Sequence, residues 1–228
     1  MLKFKFYIII PLLFCFSKIL IAQKITNNIA SEYVNAQLYN GELYNLVKQN
    51  NIKGHQFFAD EEFVEGEVKI KGVVYNNLEL NYDIFNQKLV LRYITPNGSV
   101  MVIAVSKAWL EEFTLKNNRF ILDNESKVIY QIIGTCTVRI FYQWKKSLAF
   151  RSNLGESFYY YSAPQRESFI EKNGNKIRYT DNRSFLSLFK KEDRIAIKKF
   201  MKNKKINVKK ASDESMLLLI HFCGNSEK

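Results

Sequence analysis

The chain has 228 residues, of which 47% are hydrophobic and 14% are aromatic, with nine Gly and three Pro. This composition excludes a largely disordered or low-complexity protein and suits one large domain, with or without a small appendage. The formal net charge is +12, and residues 190–210 alone carry +8, from ten basic and two acidic residues. A basic face of this kind attracts nucleic acid, anionic lipid or acidic polysaccharide.

The first 22 residues are typical of a cleaved secretory signal peptide. Lys3 and Lys5 precede an apolar run over 6–17, and the small residue Ala22 stands at the expected cleavage site. The run is shorter than the roughly 20 apolar residues that a transmembrane helix needs. We therefore expect an exported protein, periplasmic, outer-membrane-associated or extracellular, that does not span the membrane after cleavage. Its expected partners are envelope proteins, anionic lipids or glycans, and not nucleic acid.

The cysteines fit this compartment without defining a reactive site. Cys15 lies within the signal, and the bulky Phe14 before it disfavours lipidation. Cys136 and Cys223 remain after processing, and an oxidising compartment permits a disulfide between them. We favour two buried thiols, because Cys is among the most buried residue types and sequence cannot show that two Cα atoms are close enough for a bridge.

Residues 23–37 are polar and predict a flexible lead-in, after which the signals for β-structure begin. Residues 38–181 contain repeated short runs of alternating apolar and polar residues, which predict half-buried strands. Turn signals recur at spacings of roughly 8–12 residues, which indicates an antiparallel meander.

Three local predictions are specific within this β-rich domain. Asn40-Gly41 predicts a two-residue hairpin turn. Pro96-Asn97-Gly98 predicts a second hairpin, between strands over 88–94 and 99–105. Residues 107–113 predict a helical turn.

The period changes near residue 183, and residues 182–223 predict a helical segment before a short tail, 224–228. Residues 184–189 and 192–205 follow the helical period, and in the latter Ala196, Ile197, Phe200 and Met201 share one face. A second helix over 211–225 has Ser212 as N-cap and Gly224 as C-terminal stop. Its apolar middle predicts burial. The predicted fold class is α+β, an antiparallel meander sheet followed by two C-terminal helices packed on it.

The basic stretch 190–210 has two interpretations on this fold. The favoured one is an amphipathic helix packed on the sheet with its lysines in water, because most amphipathic helices of globular proteins are of this kind. The alternative is peripheral binding of anionic lipid or glycan through this helix. The candidate anion-binding residues are Lys198, Lys199, Lys202 and Lys205.

Only two histidines are present, and neither belongs to a recognisable catalytic motif. We interpret His221 as a core histidine, whereas His55, between Gly54 and an aromatic pair, is either a structural turn residue or a general base. The HExxH, GxSxG, P-loop and GxGxxG motifs are absent. The sequence therefore predicts no catalytic residue, no metal site and no cofactor, with His55 kept as a speculative ligand residue.

Two weaker possibilities come from side chains that are common in proteins of this size. Carboxylates could form the pair that glycoside hydrolysis requires, and the hydrolase hypothesis predicts that His55, Asp60 or Asp83 meet in one cleft. The acids concerned are Asp60, Glu61, Glu62 and Asp83. Aromatic residues could stack on sugars, although aromatic residues in strands mostly pack across the sheet. These are Trp109, Trp144 and Tyr159-Tyr160-Tyr161.

Four stretches resemble a family of exported proteins of Bacteroidota-type bacteria, over roughly residues 38–223. The stretches are LYNGELY, IKGHQFF, VVYNNLELNYDIFNQKLVL and KKFMKNKKINVKKASDESMLLLIHF. The resemblance implies a signal peptide, a β-rich body, C-terminal helices and an envelope or extracellular location. It implies no activity and no site residues. The function expected from the sequence is thus that of an exported, non-enzymatic binding or accessory protein of the envelope.

Overall fold

The computed structural model describes residues 36–46, 51–134, 138–153, 156–172 and 174–226. The predicted signal peptide, most of the lead-in 23–37 and Cys136 lie outside these ranges, so the predictions made for them stand untested. The chain divides after Gly41 into a short N-terminal unit and a large unit, Glu42–Lys228. In the described part of the N-terminal unit, residues 36–38 are helical.

The described ranges contain fourteen strands and, beside the helical residues 36–38, three helices. The strands are β1 (Gly41–Leu43), β2 (Ile52–Lys53), β3 (Val64–Ile70), β4 (Val73–Asp83), β5 (Lys88–Ile94), β6 (Val100–Val105), β7 (Leu110–Leu115), β8 (Asn118–Leu122), β9 (Ile129–Ile133), β10 (Arg139–Lys145), β11 (Leu148–Asn153), β12 (Glu156–Tyr161), β13 (Gln165–Lys172) and β14 (Asn175–Tyr179). The helices are α1 (Asn182–Ser187), α2 (Lys191–Asn203) and α3 (Asp213–Ser226).

Eleven strands form one sheet in the order β1-β6-β5-β4-β3-β7-β8-β9-β10-β13-β14. Seven of the ten neighbouring pairs in this order are also consecutive in sequence, so the predicted antiparallel meander is confirmed. The remaining strands form a small sheet in the order β11-β12-β2, in which β2 and β12 are parallel. The sequence did not predict this second sheet, because a two-residue strand carries no readable period.

The local β predictions had different outcomes. The hairpin around Pro96-Asn97-Gly98 is confirmed, with Ile94 opposite Val100 and Gly98 at φ +83°. The hairpin at Asn40-Gly41 is wrong, because residues 36–38 are helical and β1 lies beside β6. The helical turn over 107–113 is also wrong, since most of it belongs to β7. There the partner strands β3 and β8 supply hydrogen bonds that local propensity does not anticipate.

The helices cover one end of the large sheet. Their shared core contains Ile140 and Tyr142 from β10 together with Phe185, Ile197 and Leu219 from the helices, all fully buried. The α+β class and the packing of the helices on the sheet are therefore confirmed. The segment predicted as the first helix is in fact two helices, α1 and α2.

The break between α1 and α2 is stabilised by Arg194. Its guanidinium donates to the carbonyl oxygen of Ser187 at 2.9 Å and to that of Phe189 at 2.8 Å. Ser187 is the last residue of α1, and Phe189 lies just after it. Carbonyls at a helix C-terminus have no partner within the helix, so a cation there satisfies them.

The predictions for the start, the end and the burial of α3 had different outcomes. Ser212 accepts from the Ser215 amide at 3.3 Å, so the predicted N-cap is confirmed. The helix continues past Gly224 to Ser226, and that predicted stop is wrong. Complete burial is also wrong, since Leu218 is 54% exposed. His221 lies on the same exposed side and is not a core histidine.

A polar network joins α3 to the sheet. Gln131 of β9 accepts from the Trp144 indole at 2.7 Å and donates to Asp213 at 2.6 Å. Nearby, Arg166 of β13 donates to three carbonyls of the connection before α3, at 3.2–3.3 Å. Its guanidinium also lies 4.1 Å from the centre of the Tyr142 ring. These contacts fix the C-terminal segment on its sheet.

Candidate functional site

A polar cleft of about 730 Å³ lies where the end of β1, the residues between β2 and β3, the β4–β5 turn and the end of β12 meet. It is lined by Tyr44, Asn45, Leu46, Ile52, Gly54, His55, Gln56, Phe57, Glu61, Glu62, Phe63, Asn86, Arg92 and Tyr161. Small-molecule sites in proteins have volumes in this range, about 300–1,000 Å³. We refer to this set of residues as the polar cleft.

Residues 56–58 form the wall of the cleft because they are bound to the end of β4. The Ile84 amide donates to the Gln56 carbonyl at 3.1 Å, and the Phe58 amide donates to the Tyr82 carbonyl at 2.9 Å. The Phe58 ring packs edge-to-face on Phe120, at a centroid distance of 5.3 Å. These contacts hold the irregular segment 56–58 beside β4. They thereby fix the side chains of Gln56 and Phe57, which line the cleft.

Buried Asp83 organises the floor of the cleft. Its carboxylate accepts from the Tyr44 hydroxyl at 2.5 Å, the Phe85 amide at 2.9 Å, and the amide and side chain of Asn86, both at 2.7 Å. Gln56 in turn donates to the Tyr44 hydroxyl at 3.2 Å. Burial, and then the bond to Asp83, raise the pKa of Tyr44 far above its usual value. Tyr44 therefore stays protonated and keeps its orientation.

His55 lines the cleft and also stabilises the turn around it. Its Nδ1 accepts from the Phe57 amide at 3.2 Å, so the neutral ring carries its proton on Nε2. Lys146 donates to the His55 carbonyl at 2.7 Å. Burial lowers the pKa of Lys146, against an opposing effect of Asp83. His55 therefore stabilises its own turn and also lines the cleft, and its role as a general base stays a prediction.

Both acidic and basic side chains lie around the cleft. Glu61 and Glu62 both line it and are exposed. Arg92 is engaged by Glu79 on the neighbouring strand through two hydrogen bonds, at 2.8 and 2.9 Å, and lies 4.7 Å from the Phe63 ring centre. Glu79 thus balances the Arg92 guanidinium, and Lys146 lies beside the same cleft through its hydrogen bond to the His55 carbonyl.

The structure brings together only part of the set predicted for a hydrolase. His55, Glu61 and Glu62 share the polar cleft, whereas Asp83 lies behind it with its carboxylate fully engaged. Asp60 does not line the cleft; its Oδ1 accepts from the Glu62 amide at 3.0 Å. Tyr44, Gln56 and Asn86 were not predicted, because they come from segments that only the fold brings together.

A second concave surface lies between α1 and α2, with a volume of about 980 Å³. Its apolar wall consists of Leu186, Ile195, Met201 and Ile206, and its cationic rim of Arg183, Arg194, Lys198, Lys202 and Lys205. Asn182 and Ser187 complete the lining, and none of these residues is acidic. We refer to these eleven residues as the basic groove.

The inner face of α2 confirms the favoured interpretation of the basic stretch, an amphipathic helix packed on the sheet. Ile197 and Met201 are buried in the core, and Phe200 stacks on Phe222 with ring centroids 4.3 Å apart. Ala196, predicted on the same face, is exposed. Of the four predicted lysines, Lys198, Lys202 and Lys205 line the basic groove and Lys199 does not.

Comparisons with known proteins were made with the whole chain. No protein-family model, no curated protein and no solved structure matches it. Within the described ranges, no three His, Cys, Asp or Glu side chains are grouped so as to hold a metal ion. None of the helices in that part of the chain is long and apolar enough to cross a membrane.

Proposed function

We propose that this chain is an exported envelope protein that binds a neutral, hydroxylated small molecule, of the carbohydrate class, in the polar cleft. The observation that carries the proposal is the set of hydrogen bonds that orders the side chains of the cleft. Tyr44, Gln56 and Asn86 are all held around the Asp83 carboxylate. A preordered site loses less conformational entropy when it binds.

The chemistry of the lining supports this ligand class. Glu61 and Glu62 accept hydrogen bonds from hydroxyl groups, and the carboxamides of Asn45 and Gln56 can both donate and accept. Aromatic rings, among them Tyr161, offer surfaces on which the faces of a sugar ring can pack. The two glutamates of the lining favour a neutral ligand over an acidic one. The signal-like N-terminus supports an envelope location, where glycans are abundant.

The test is a binding screen of the full-length protein, processed as in its host, against neutral mono- and oligosaccharides by titration calorimetry. The double substitution E61A/E62A should weaken binding at least about tenfold, since it removes two acceptors, each worth about 1 kcal/mol or more. The matched control is E125A/E192A, which removes the same charge from exposed positions outside the cleft. If no sugar binds, or if both double variants bind equally well, the proposal is wrong.

Hydrolysis by carboxylates is the second candidate function. The specific observation in its favour is that Glu61, Glu62 and His55 line one cleft. A hydrolase would release reducing ends from a bound oligosaccharide, and E61Q or E62Q would abolish release while retaining the bound state. Binding without any release of reducing ends would leave the binding function standing and reject the enzyme.

A further inference from the structure

We propose that the basic groove is a docking surface for a membrane containing anionic lipid. The proposal concerns a different face of the protein from the polar cleft, so either proposal can fail without the other. It depends on an exposed apolar side chain, on the lysines around it and on the absence of acid from the lining.

Ile195 is the first of these observations. It lies on α2, lines the basic groove and is 77% exposed, although its neighbours Ile197 and Met201 on the same helix are buried. It contributes little to the core, and it lines the groove together with cationic side chains of the same helix. Interfacial helices place such residues in the boundary between head groups and acyl chains.

The lysines supply the electrostatic part of the interaction. Lys198, Lys202 and Lys205 are exposed and line the groove on the same side as Ile195. Among the described residues, none of these three takes part in an ion pair within 4.0 Å. Their charges are therefore available to an external anion.

Arg194 has a different role in the groove. Its guanidinium is committed to the carbonyls of Ser187 and Phe189, so it fixes the angle between α1 and α2 and keeps the groove open. The ligand-facing charge consequently comes from Arg183 and three lysines, and the lysines act as point charges that lack the planar bidentate geometry of arginine. This suits a layer of mobile head groups better than a ligand recognised by directed pairs of hydrogen bonds.

The apolar side chains of the groove favour an anionic membrane over a sulfated glycan or a nucleic acid. A sulfated glycan or a nucleic acid would use the lysines but would leave Ile195 and Leu186 in water. An anionic bilayer offers head-group charge to the lysines and an acyl boundary to the apolar side chains at the same time. Each lysine near such a surface contributes roughly fivefold to the partition coefficient, so binding is expected to be reversible and weakened by salt.

The test is co-sedimentation of the full-length, host-processed protein with vesicles of phosphatidylcholine, with and without phosphatidylglycerol. The triple variant K198E/K202E/K205E should lose about 100-fold or more in partitioning, from the contribution of each lysine. The matched control, K199E/K204E/K209E, makes the same change in charge within residues 190–210 but outside the groove. Its loss in partitioning should be at least tenfold smaller than that of K198E/K202E/K205E.

The apolar contribution has its own pair of variants. I195N should weaken partitioning several-fold, whereas L218N, at a similarly exposed position on α3, should not. Circular dichroism and a thermal melt check that all variants remain folded. Lack of preference for vesicles with phosphatidylglycerol would overturn the proposal. So would equal losses in both triple variants, or binding to heparin but not to vesicles.

Discussion

The hydroxyl of Tyr44 donates a 2.5 Å hydrogen bond to Oδ2 of Asp83, although the two residues are 39 positions apart and Asp83 is completely buried. A buried carboxylate requires compensation by hydrogen bonds or a counter-charge. Asp83 obtains it from Tyr44 and from the turn that follows β4. One anion thus links the β4–β5 turn to the residues after β1, and the polar cleft forms between them.

The first prediction concerns Y44F. Removing the hydroxyl leaves one carboxylate oxygen of Asp83 with fewer donors, so the free energy of unfolding should fall by about 1–3 kcal/mol. Sugar binding, if the proposed function is correct, should weaken as well. The control is Y159F, on an exposed tyrosine of β12. Urea unfolding measures the stability of the two variants, and equal stability of Y44F and Y159F would contradict the structural role assigned to this bond.

A second prediction concerns the close approach of strands at Gly66. A Cβ at this position would lie 2.1 Å from the Thr114 carbonyl oxygen and 2.9 Å from Leu80 Cδ1. The backbone oxygen cannot move without disturbing the β3–β7 pairing, so G66A should destabilise the protein by about 3 kcal/mol or more.

Gly224 supplies the matched control for this substitution. A Cβ there meets nothing within 4 Å, and the residue lies in α3. G224A should be neutral or stabilise by up to about 1 kcal/mol, because alanine loses less backbone entropy in a helix. Thermal unfolding of both variants tests the pair, and a G66A protein as stable as wild type would refute the close packing.

A third prediction concerns the pH dependence of stability at Asp123. Its hydrogen bond from Lys176, followed by bonds from Ser126, holds the pKa of this carboxyl well below its usual value. A lowered folded-state pKa gives stability that is present above the unfolded pKa, near 4, and is lost as the pH falls below it. D123N should therefore be less stable than wild type at pH 7, by about 1.5–3 kcal/mol. The difference should shrink in acid.

Asp213 should show the opposite pH dependence of stability. Burial raises the pKa of its carboxyl, against the bond from Gln131. A raised folded-state pKa gives a contribution that is present at low pH and is lost as the pH rises through the folded pKa. The stability of wild type relative to D213N should therefore decline as the pH rises from about 4, the usual pKa of Asp, toward neutrality. Urea unfolding across this range measures both variants, and parallel pH profiles would contradict the assigned environments.

A fourth prediction concerns Arg166, which holds the connection before α3. R166K keeps the charge but cannot donate to three carbonyls and stack on Tyr142 at the same time. Stability should fall by about 1–2 kcal/mol, and amide hydrogen exchange should accelerate in α3 more than in β4. The control is R178K on the edge strand β14, whose side chain is 59% exposed. Uniform exchange in the two arginine variants would mean that Arg166 does not fix the helix.

Short-range features of this fold could be read from the sequence because they depend on neighbouring residues. The hairpin around Pro96-Asn97-Gly98, the amphipathic face containing Ile197 and Met201, and the Ser212 cap are examples. Each is set by local dihedral preferences or by the helical period. The same local rules failed at β7, which is a strand because β3 and β8 pair with it, and at His221, whose helix buries only one side.

The sequence by itself determined the α+β class, the meander and the basic, amphipathic character of α2. Only the tertiary structure decided where the candidate sites lie. Tyr44, Gln56 and Asp83 meet because the order of strands in the sheet and the second, smaller sheet bring distant segments together. Ile195 joins a groove because α1 packs beside α2 at an angle fixed by Arg194. Such contacts have no period along the chain, since they arise from the spatial order of elements and not from the spacing of residues.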